Sequence, residues 1–270
     1  MIEQTFFALP FALLGVLFAG GGNLRTWFFV IIAMVAARTA GMSFNRVIDA
    51  RIDAKNPRTR DRLIPKGDVR PKSVWLAAFV SCLVLVGASF MLNRICFYLS
   101  FPAVFLLFTY SYFKRFSASS HFYLGIVEAA APIGGYLAVT GEFTQVPFVL
   151  GLVILTWIAG LDIVYAIQDV EFDTEENLHS IPVRLGKKAA LFISAACYMV
   201  SAGAMVYAGF ITHKNGFYWV AVVAVSLIFL YQQRLARSQD IAGAVKMFLK
   251  VNIYISPILF LGTLTAVFFS

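Results

Sequence analysis

Asn45-Arg46-Val47-Ile48-Asp49-Ala50-Arg51-Ile52-Asp53 follows directly on an apolar run over residues 26–45, and that junction decides how the chain is read. The run contains Trp27-Phe28-Phe29-Val30-Ile31-Ile32 and extends to Phe44, close to the about 20 residues that carry a helix across a hydrocarbon core. Beyond it the helical period persists in polar residues. Asn45, Asp49 and Asp53 are four apart, so they stack on one face, each about 6 Å further along the axis. The pattern is a membrane helix that leaves the bilayer on a row of acids.

Eight more runs of this kind occupy residues 4–20, 73–92, 96–113, 122–140, 147–167, 189–211, 217–234 and 247–269. Alternating strand patterns are absent, which argues against a barrel. The expected fold is all-α: a polytopic membrane helical bundle of about nine transmembrane helices, forming one membrane-embedded domain over residues 1–270.

Composition agrees. The 270 residues are 60% hydrophobic and 13% charged, with mean hydropathy +0.80, whereas a soluble domain carries about 25% charged residues. These proportions exclude a soluble core, a disordered chain, a disulfide-stapled secreted scaffold and a nucleic-acid-binding domain. The net charge of +8 therefore points to loop orientation and lipid head groups rather than to a nucleic-acid partner. Met1-Ile2-Glu3-Gln4 lacks a basic leader region, so the first run is expected to be a retained helix. Cys82, Cys96 and Cys197 lie singly inside apolar runs and read as small buried hydrophobes.

Seventeen of the 22 Lys and Arg fall on connections after the second, fourth, sixth and eighth runs, against Arg25, Arg94 and Lys214 on the opposite ones. The positive-inside rule then puts the even-numbered connections in the cytoplasm, the N-terminus in and the C-terminus out. Two cytoplasmic connections, 54–71 and 174–187, are long and charged, as functional loops in compact bundles are.

The helix feeding the second long loop ends like the first. Asp169 and Asp173 repeat the spacing of four, and Asp162 lies two turns deeper on nearly the same face. Like charges at i, i+4 destabilise a helix by a few tenths of a kcal/mol unless neutralised. Two such pairs at one surface suggest a shared Mg²⁺, which binds few protein ligands and keeps open positions for water and phosphate oxygens. The basic loops suggest phosphate or pyrophosphate as the third component. The alternative is that the acids are solvated helix ends paired with loop arginines.

Ala37-Arg38-Thr39, Asn45-Arg46-Val47-Ile48-Asp49, Asp53 and Asn56-Pro57-Arg58-Thr59 closely resemble the first signature of the UbiA superfamily of intramembrane aromatic prenyltransferases. Asp162, Tyr165-Ala166, Asp169, Asp173 and His179-Ser180-Ile181-Pro182 resemble the second, and Tyr110 with Lys114 is a weaker third match. Leu63 departs from the proline that the family commonly has after the arginine matching Arg62.

The resemblance implies a central cavity in which Mg²⁺, a polyprenyl diphosphate and an aromatic acid acceptor of the 4-hydroxybenzoate kind meet, in quinone biosynthesis. It implies Asn45, Asp49, Asp53, Asp169 and Asp173 as metal ligands, and Arg62 and Lys114 on the diphosphate with Arg58 and Arg60 as helpers. Asp162, with Tyr165, would orient the acceptor's hydroxyl or accept the proton, and Arg38 and Arg46 would pair with acids or hold its carboxylate. The expected location is the bacterial inner membrane, with the active site toward the cytoplasm. Related members prenylate dihydroxynaphthoates for menaquinone, which leaves the acceptor open. An ion-coupled transporter is the other class weighed. Its site would sit near the bilayer midplane on broken helices, whereas most acids here stand at the cytoplasmic boundary.

Three further features carry simpler readings. His121 starts the fifth run and reads as a cap or an interface residue; no second His supports zinc. Glu128 is open between protonation, pairing with Arg38 and contact with the acceptor. Gly134-Gly135 and Gly20-Gly21-Gly22 read as helix contacts and turns.

Overall fold

The computed structural model describes residues 2–238 and 241–269. Among them every regular element is helical, as it must be where no water is available to satisfy the backbone. In order these are α1 (Ile2–Phe18), α2 (Leu24–Ile48), α3 (Ala50–Lys55), α4 (Pro71–Leu92), α5 (Arg94–Phe113) and α6 (Ser120–Thr140). They continue with α7 (Gln145–Ala166), α8 (Val170–Glu175), α9 (Ile181–Ile211), α10 (Gly216–Leu235), α11 (Ile241–Asn252) and α12 (Ile255–Phe268).

Eight helical stretches among the described residues are long and apolar enough to cross a membrane, and Leu9–Phe18 adds a shorter apolar one. All nine expected runs are thus helical. The last differs in detail: run 247–269 begins inside α11 and is interrupted at Ile253 and Tyr254 before α12. Lys246, one of the basic residues counted on the connection after the eighth run, has a side chain outside the described residues. Large apolar side chains such as Phe79, Phe105, Phe192, Val220 and Leu230 are exposed around the bundle, a lipid-facing surface.

The helices divide into two groups. Helices α1, α6, α7, α9, α10 and α12 enclose the main core, in which Phe11, Trp157, Tyr198, Tyr218 and Phe229 are buried. Helices α2, α4 and α5 pack on one another and against α6 without filling the space between. Glycine sets how closely α1 and α6 approach. A Cβ on Gly135 would stand 1.9 Å from the Ala12 carbonyl oxygen, and one on Gly15 would stand 2.1 Å from that of Pro132. Gly134 has open space beside it instead; it lines the cavity.

The two rims of the bundle are built differently. On one rim each connection between long helices opens the next with a side-chain cap, Asn23, Asn93, Thr144 and Asn215 accepting from backbone N–H groups. On the other rim α4, α6 and α9 start without such caps. There the long connections are held by charged side chains instead.

Candidate active site

A cavity of about 810 Å³ runs between α2, α4, α5, α6 and α7, and its mouth lies at the charged rim. Its walls are apolar residues such as Val30, Met34, Leu85, Leu99, Leu107 and Ile133; its mouth is lined by Asn45, Asp49, Asp53, Asp169 and Asp173.

Both acidic helix ends are broken in the same place. Asp49 sits between α2 and α3 at φ −90°, ψ 0°, and Asp169 closes a 3₁₀ turn, Ile167–Asp169, at φ −100°, ψ 7°. Both conformations lie in the sparsely populated bridge region. The helical register continues across the first break, since the Asp49 N–H donates to the Asn45 carbonyl at 3.0 Å and that of Asp53 to Asp49 at 2.8 Å. A single continuous helical face, which the spacing suggested, is thus two short pieces joined at the first aspartate of each pair.

The cations come from two connections, the one after α5 and the one between α2 and α4. Lys114, at the C-terminal end of α5, reaches Asp49 at 2.7 Å, and Arg115 reaches the same carboxylate at 3.5 Å. Asn45 also donates to Asp49, at 2.8 Å. Arg62 pairs with Asp53 at 2.7 Å. Arg58 crosses to the other loop, with Nη2 2.6 Å and Nε 3.1 Å from the two Asp169 oxygens. Its guanidinium also lies 4.7 Å from the centre of the Tyr165 ring and donates to the Tyr165 hydroxyl. Burial disfavours that charge and is the largest single influence, but the Asp169 hydrogen bond together with the nearby Tyr165, Asp169 and Asp53 outweighs it, and the Arg58 pKa stands above its ordinary value. Lys55 and Glu176 add a second tie between the loops at 2.7 Å.

Local turns present these groups. The Asn56 side chain accepts from the Arg58 N–H at 2.9 Å, and the Thr59 hydroxyl donates to the Asp53 carbonyl at 3.0 Å. Both residues are buried and line the mouth. Asn56 and Thr59 are supports that spacing arguments passed over; the short polar turn at 56–59 is the signal that marks them.

The structure brings most of the expected residues together. Asp162, Arg38 and Arg46 line the cavity with the mouth residues. Arg60 is exposed and is not among the lining residues. Tyr165 bonds to Arg58, on the mouth side, rather than to Asp162. Arg38 is taken up by Glu128 at 2.7 Å, which settles the pairing of Glu128. Among the described residues the buried Arg46 Nη1 has no hydrogen-bond partner, and neither has the buried Arg38 Nε.

His121 differs most from expectation. It is buried, with Nδ1 2.7 Å from Asp162 and Nε2 accepting from the Ile181 N–H at 3.2 Å. It is neither a cap nor an interface residue.

Among the described residues no three His, Cys, Asp or Glu side chains gather into a group that could enclose a metal ion. Asn45, Asp49, Asp53, Asp169 and Asp173 stand as two oxygen-only sets on facing loops. Asp173 has no ion pair among the described residues.

Comparison with known proteins gives a consistent result. The profile of the UbiA prenyltransferase family matches residues 8–256. The 4-hydroxybenzoate octaprenyltransferase of Methylobacillus flagellatus is 31% identical over 242 residues, covering 89% of this chain and 81% of the relative. That of Pseudomonas entomophila is 28% identical, covering 93% and 84%. The solved apo structure of a UbiA homolog from Aeropyrum pernix K1 superposes with TM-score 0.91 at 28% identity, covering 98% of each chain. A UbiA homolog from Archaeoglobus fulgidus bound to DMAPP and Mg²⁺ shares the fold, with TM-score 0.73 at 17% identity over 97% of this chain and 95% of that one. The apolar helices, the family match and these relatives make the chain an integral membrane protein and a polyprenyltransferase, a member of the UbiA prenyltransferase family.

Proposed function

We propose that the protein transfers a polyprenyl group from a polyprenyl diphosphate to an aromatic acid of the 4-hydroxybenzoate kind, using Mg²⁺. The observation that carries this reading is the pairing of acids and cations across facing loops at the mouth of an apolar cavity. Diphosphate is a poor leaving group until its charge is neutralised. Arg58, Arg62 and Lys114 each sit on an aspartate, so the cations a diphosphate needs and the carboxylates a metal needs are adjacent and neutralise one another.

The donor set fits Mg²⁺. It offers carboxylate and amide oxygens from Asn45, Asp49, Asp53, Asp169 and Asp173 without enclosing a cage, and Mg²⁺ binds through few carboxylates plus substrate phosphates. When bound, the metal supplies charge stabilisation to the departing diphosphate. The chain's residues do the rest. Arg62 and Lys114 turn from their aspartates to the diphosphate oxygens, and Arg58 assists from the Asp169 side. Arg60 takes no part in this arrangement.

Beyond the mouth the apolar walls exclude water from the allylic cation, which water would quench. The acceptor lies deeper, with its hydroxyl at Asp162, about 10 Å from Asp169 by helix rise. Its carboxylate lies at Arg46; Arg38 and Arg46 each keep a buried nitrogen without a partner among the described residues, but the Arg38 charge is already met by Glu128. Charge asymmetry supports a mouth facing the cytoplasm with the N-terminus inside, and the bacterial relatives support a bacterial inner membrane.

The test uses purified protein, Mg²⁺, a long-chain prenyl diphosphate and a panel of hydroxylated aromatic acids that includes 4-hydroxybenzoate and a dihydroxynaphthoate. Prenylated 4-hydroxybenzoate is the expected product. Product only from dihydroxynaphthoate moves the acceptor class to menaquinone precursors, and no product from any acceptor overturns the reading.

A further inference from the structure

His121 stands outside the set of residues just described, yet its surroundings are among the most constrained at the site. It is the second residue of α6, is 3% exposed, and lines the cavity wall beside Asp162. One ring nitrogen, Nε2, faces the backbone N–H of Ile181 at 3.2 Å. A backbone N–H can only donate, so Nε2 must accept and the ring proton must sit on Nδ1. Nδ1 is then the donor to Asp162 Oδ2, 2.7 Å away. The backbone of one element thus fixes the tautomer of a side chain on a second, which orients a carboxylate on a third.

Asp162 is 41 residues away in sequence, and its side chain is 30% exposed while that of His121 is 4% exposed. The carboxylate therefore faces the cavity and the imidazole stands behind it. With Oδ2 held by His121, Oδ1 is the oxygen turned to incoming groups. Ile181 opens α9 directly after the loop that carries the second acid pair. Two residues earlier the His179 N–H donates to the Lys114 carbonyl at 2.7 Å. The same short stretch of backbone thus registers both the cation on Asp49 and the orienter of Asp162.

We propose that His121 is a positioning residue that aims Asp162 at the aromatic acceptor through a tautomer imposed by Ile181. The inference rests on the prenyl-transfer reading given above. In that reaction a π pair of the acceptor ring forms the new carbon–carbon bond as the allylic carbon–oxygen bond breaks, its pair leaving with diphosphate. The attacked ring carbon then gives up its hydrogen as a proton, the C–H pair returns to the ring, and Asp162 takes the proton and becomes a carboxylic acid. A carboxylate rotated away from the acceptor would do this poorly. Groups that orient a reacting residue contribute about tenfold to hundredfold.

The experiment measures kcat, KM for both substrates, and thermal melting in detergent for wild type, His121→Asn, His121→Gln, His121→Ala and Asp162→Asn. An Asn amide can donate from near the Nδ1 position but does not reach Ile181. A Gln amide reaches the Nε2 position and can accept from Ile181 but offers Asp162 nothing.

If His121 acts by orienting Asp162, His121→Asn keeps kcat within about fivefold of wild type, while His121→Gln and His121→Ala lose about tenfold to hundredfold. The KM for prenyl diphosphate stays unchanged, and adding His121→Gln to Asp162→Asn costs nothing further. The reverse order, with Gln active and Asn inactive, would assign His121 to holding α9 only and overturns the proposal. Equal kcat in all His121 variants, whether wild-type or depressed, overturns it as well. An inactive wild type instead overturns the prenyl-transfer reading itself, so the two failures are distinct.

Discussion

The two acidic breaks share a plan and differ in how they are neutralised. Each follows a long helix, bends at its first aspartate and places the second on a six-residue helix, α3 or α8. Asp49 and Asp53 are 1% and 4% exposed and carry Lys114, Arg115 and Arg62 between them. Asp169 has only Arg58, which belongs to the first loop, and Asp173 has no ion pair among the described residues. The first break is therefore part of the folded structure in its own right. The second depends on what it shares with the first or binds from outside.

Removing charge from each side should break the comparison most sharply. Asp49→Asn and Asp169→Asn should each lower kcat by about a thousandfold or more, because both remove a carboxylate from the metal–diphosphate site. Stability should separate the two sides. Asp49→Asn removes a buried carboxylate from Lys114 and Arg115, which are a third exposed and partly screened by solvent, and should cost about 1 to 2 kcal/mol, read as a lower melting temperature. Asp173→Asn should lower activity and leave melting unchanged. Equal melting losses in both would mean the breaks are alike after all.

Chelation sharpens the same contrast. EDTA should abolish turnover without moving the melting temperature of the substrate-free protein, in which Asp49, Asp53 and Asp169 are already paired with cations. Mg²⁺ with a non-reactive prenyl diphosphate should raise that temperature, by mass action on the folded state. Stabilisation by Mg²⁺ alone would indicate a metal cage that the geometry lacks.

Arg58 joins the two breaks, so Arg58→Ala should raise KM for prenyl diphosphate by about tenfold to hundredfold. Arg58→Lys should recover part of this, since it keeps the charge but not the two-pronged contact with Asp169. Arg60→Ala, on an exposed neighbour, should change either parameter by no more than about twofold.

Much of this was legible in the chain. Length and hydropathy gave the helices, since only a helix satisfies its own backbone in lipid, and the spacing of four gave both acid pairs. What escaped was whatever joins residues far apart in sequence. His121 looked like a helix start because its partners, Asp162 and Ile181, are 41 and 60 residues away. Glu128 had three open readings until Arg38, 90 residues before it, closed on it. Arg58 and Arg60 were indistinguishable by composition; a two-residue offset on a turn sends one to Asp169 and leaves the other in solvent. The breaks at Asp49 and Asp169 were also hidden, because the helical register survives the first and a 3₁₀ turn masks the second.

The unequal rims have a consequence for ionic strength. On the rim away from the cavity mouth, Asn23, Asn93, Thr144 and Asn215 fasten the turns by short neutral hydrogen bonds. The rim at the mouth is fastened by ion pairs, some of them half-exposed, such as Lys55 with Glu176. Dissolved salt weakens the second kind of fastening and not the first. Raising salt should speed amide hydrogen exchange in the connections around 56–70 and 176–180 while the opposite turns keep their protection. The enzyme would then loosen from one face only, the face through which substrate charge must enter.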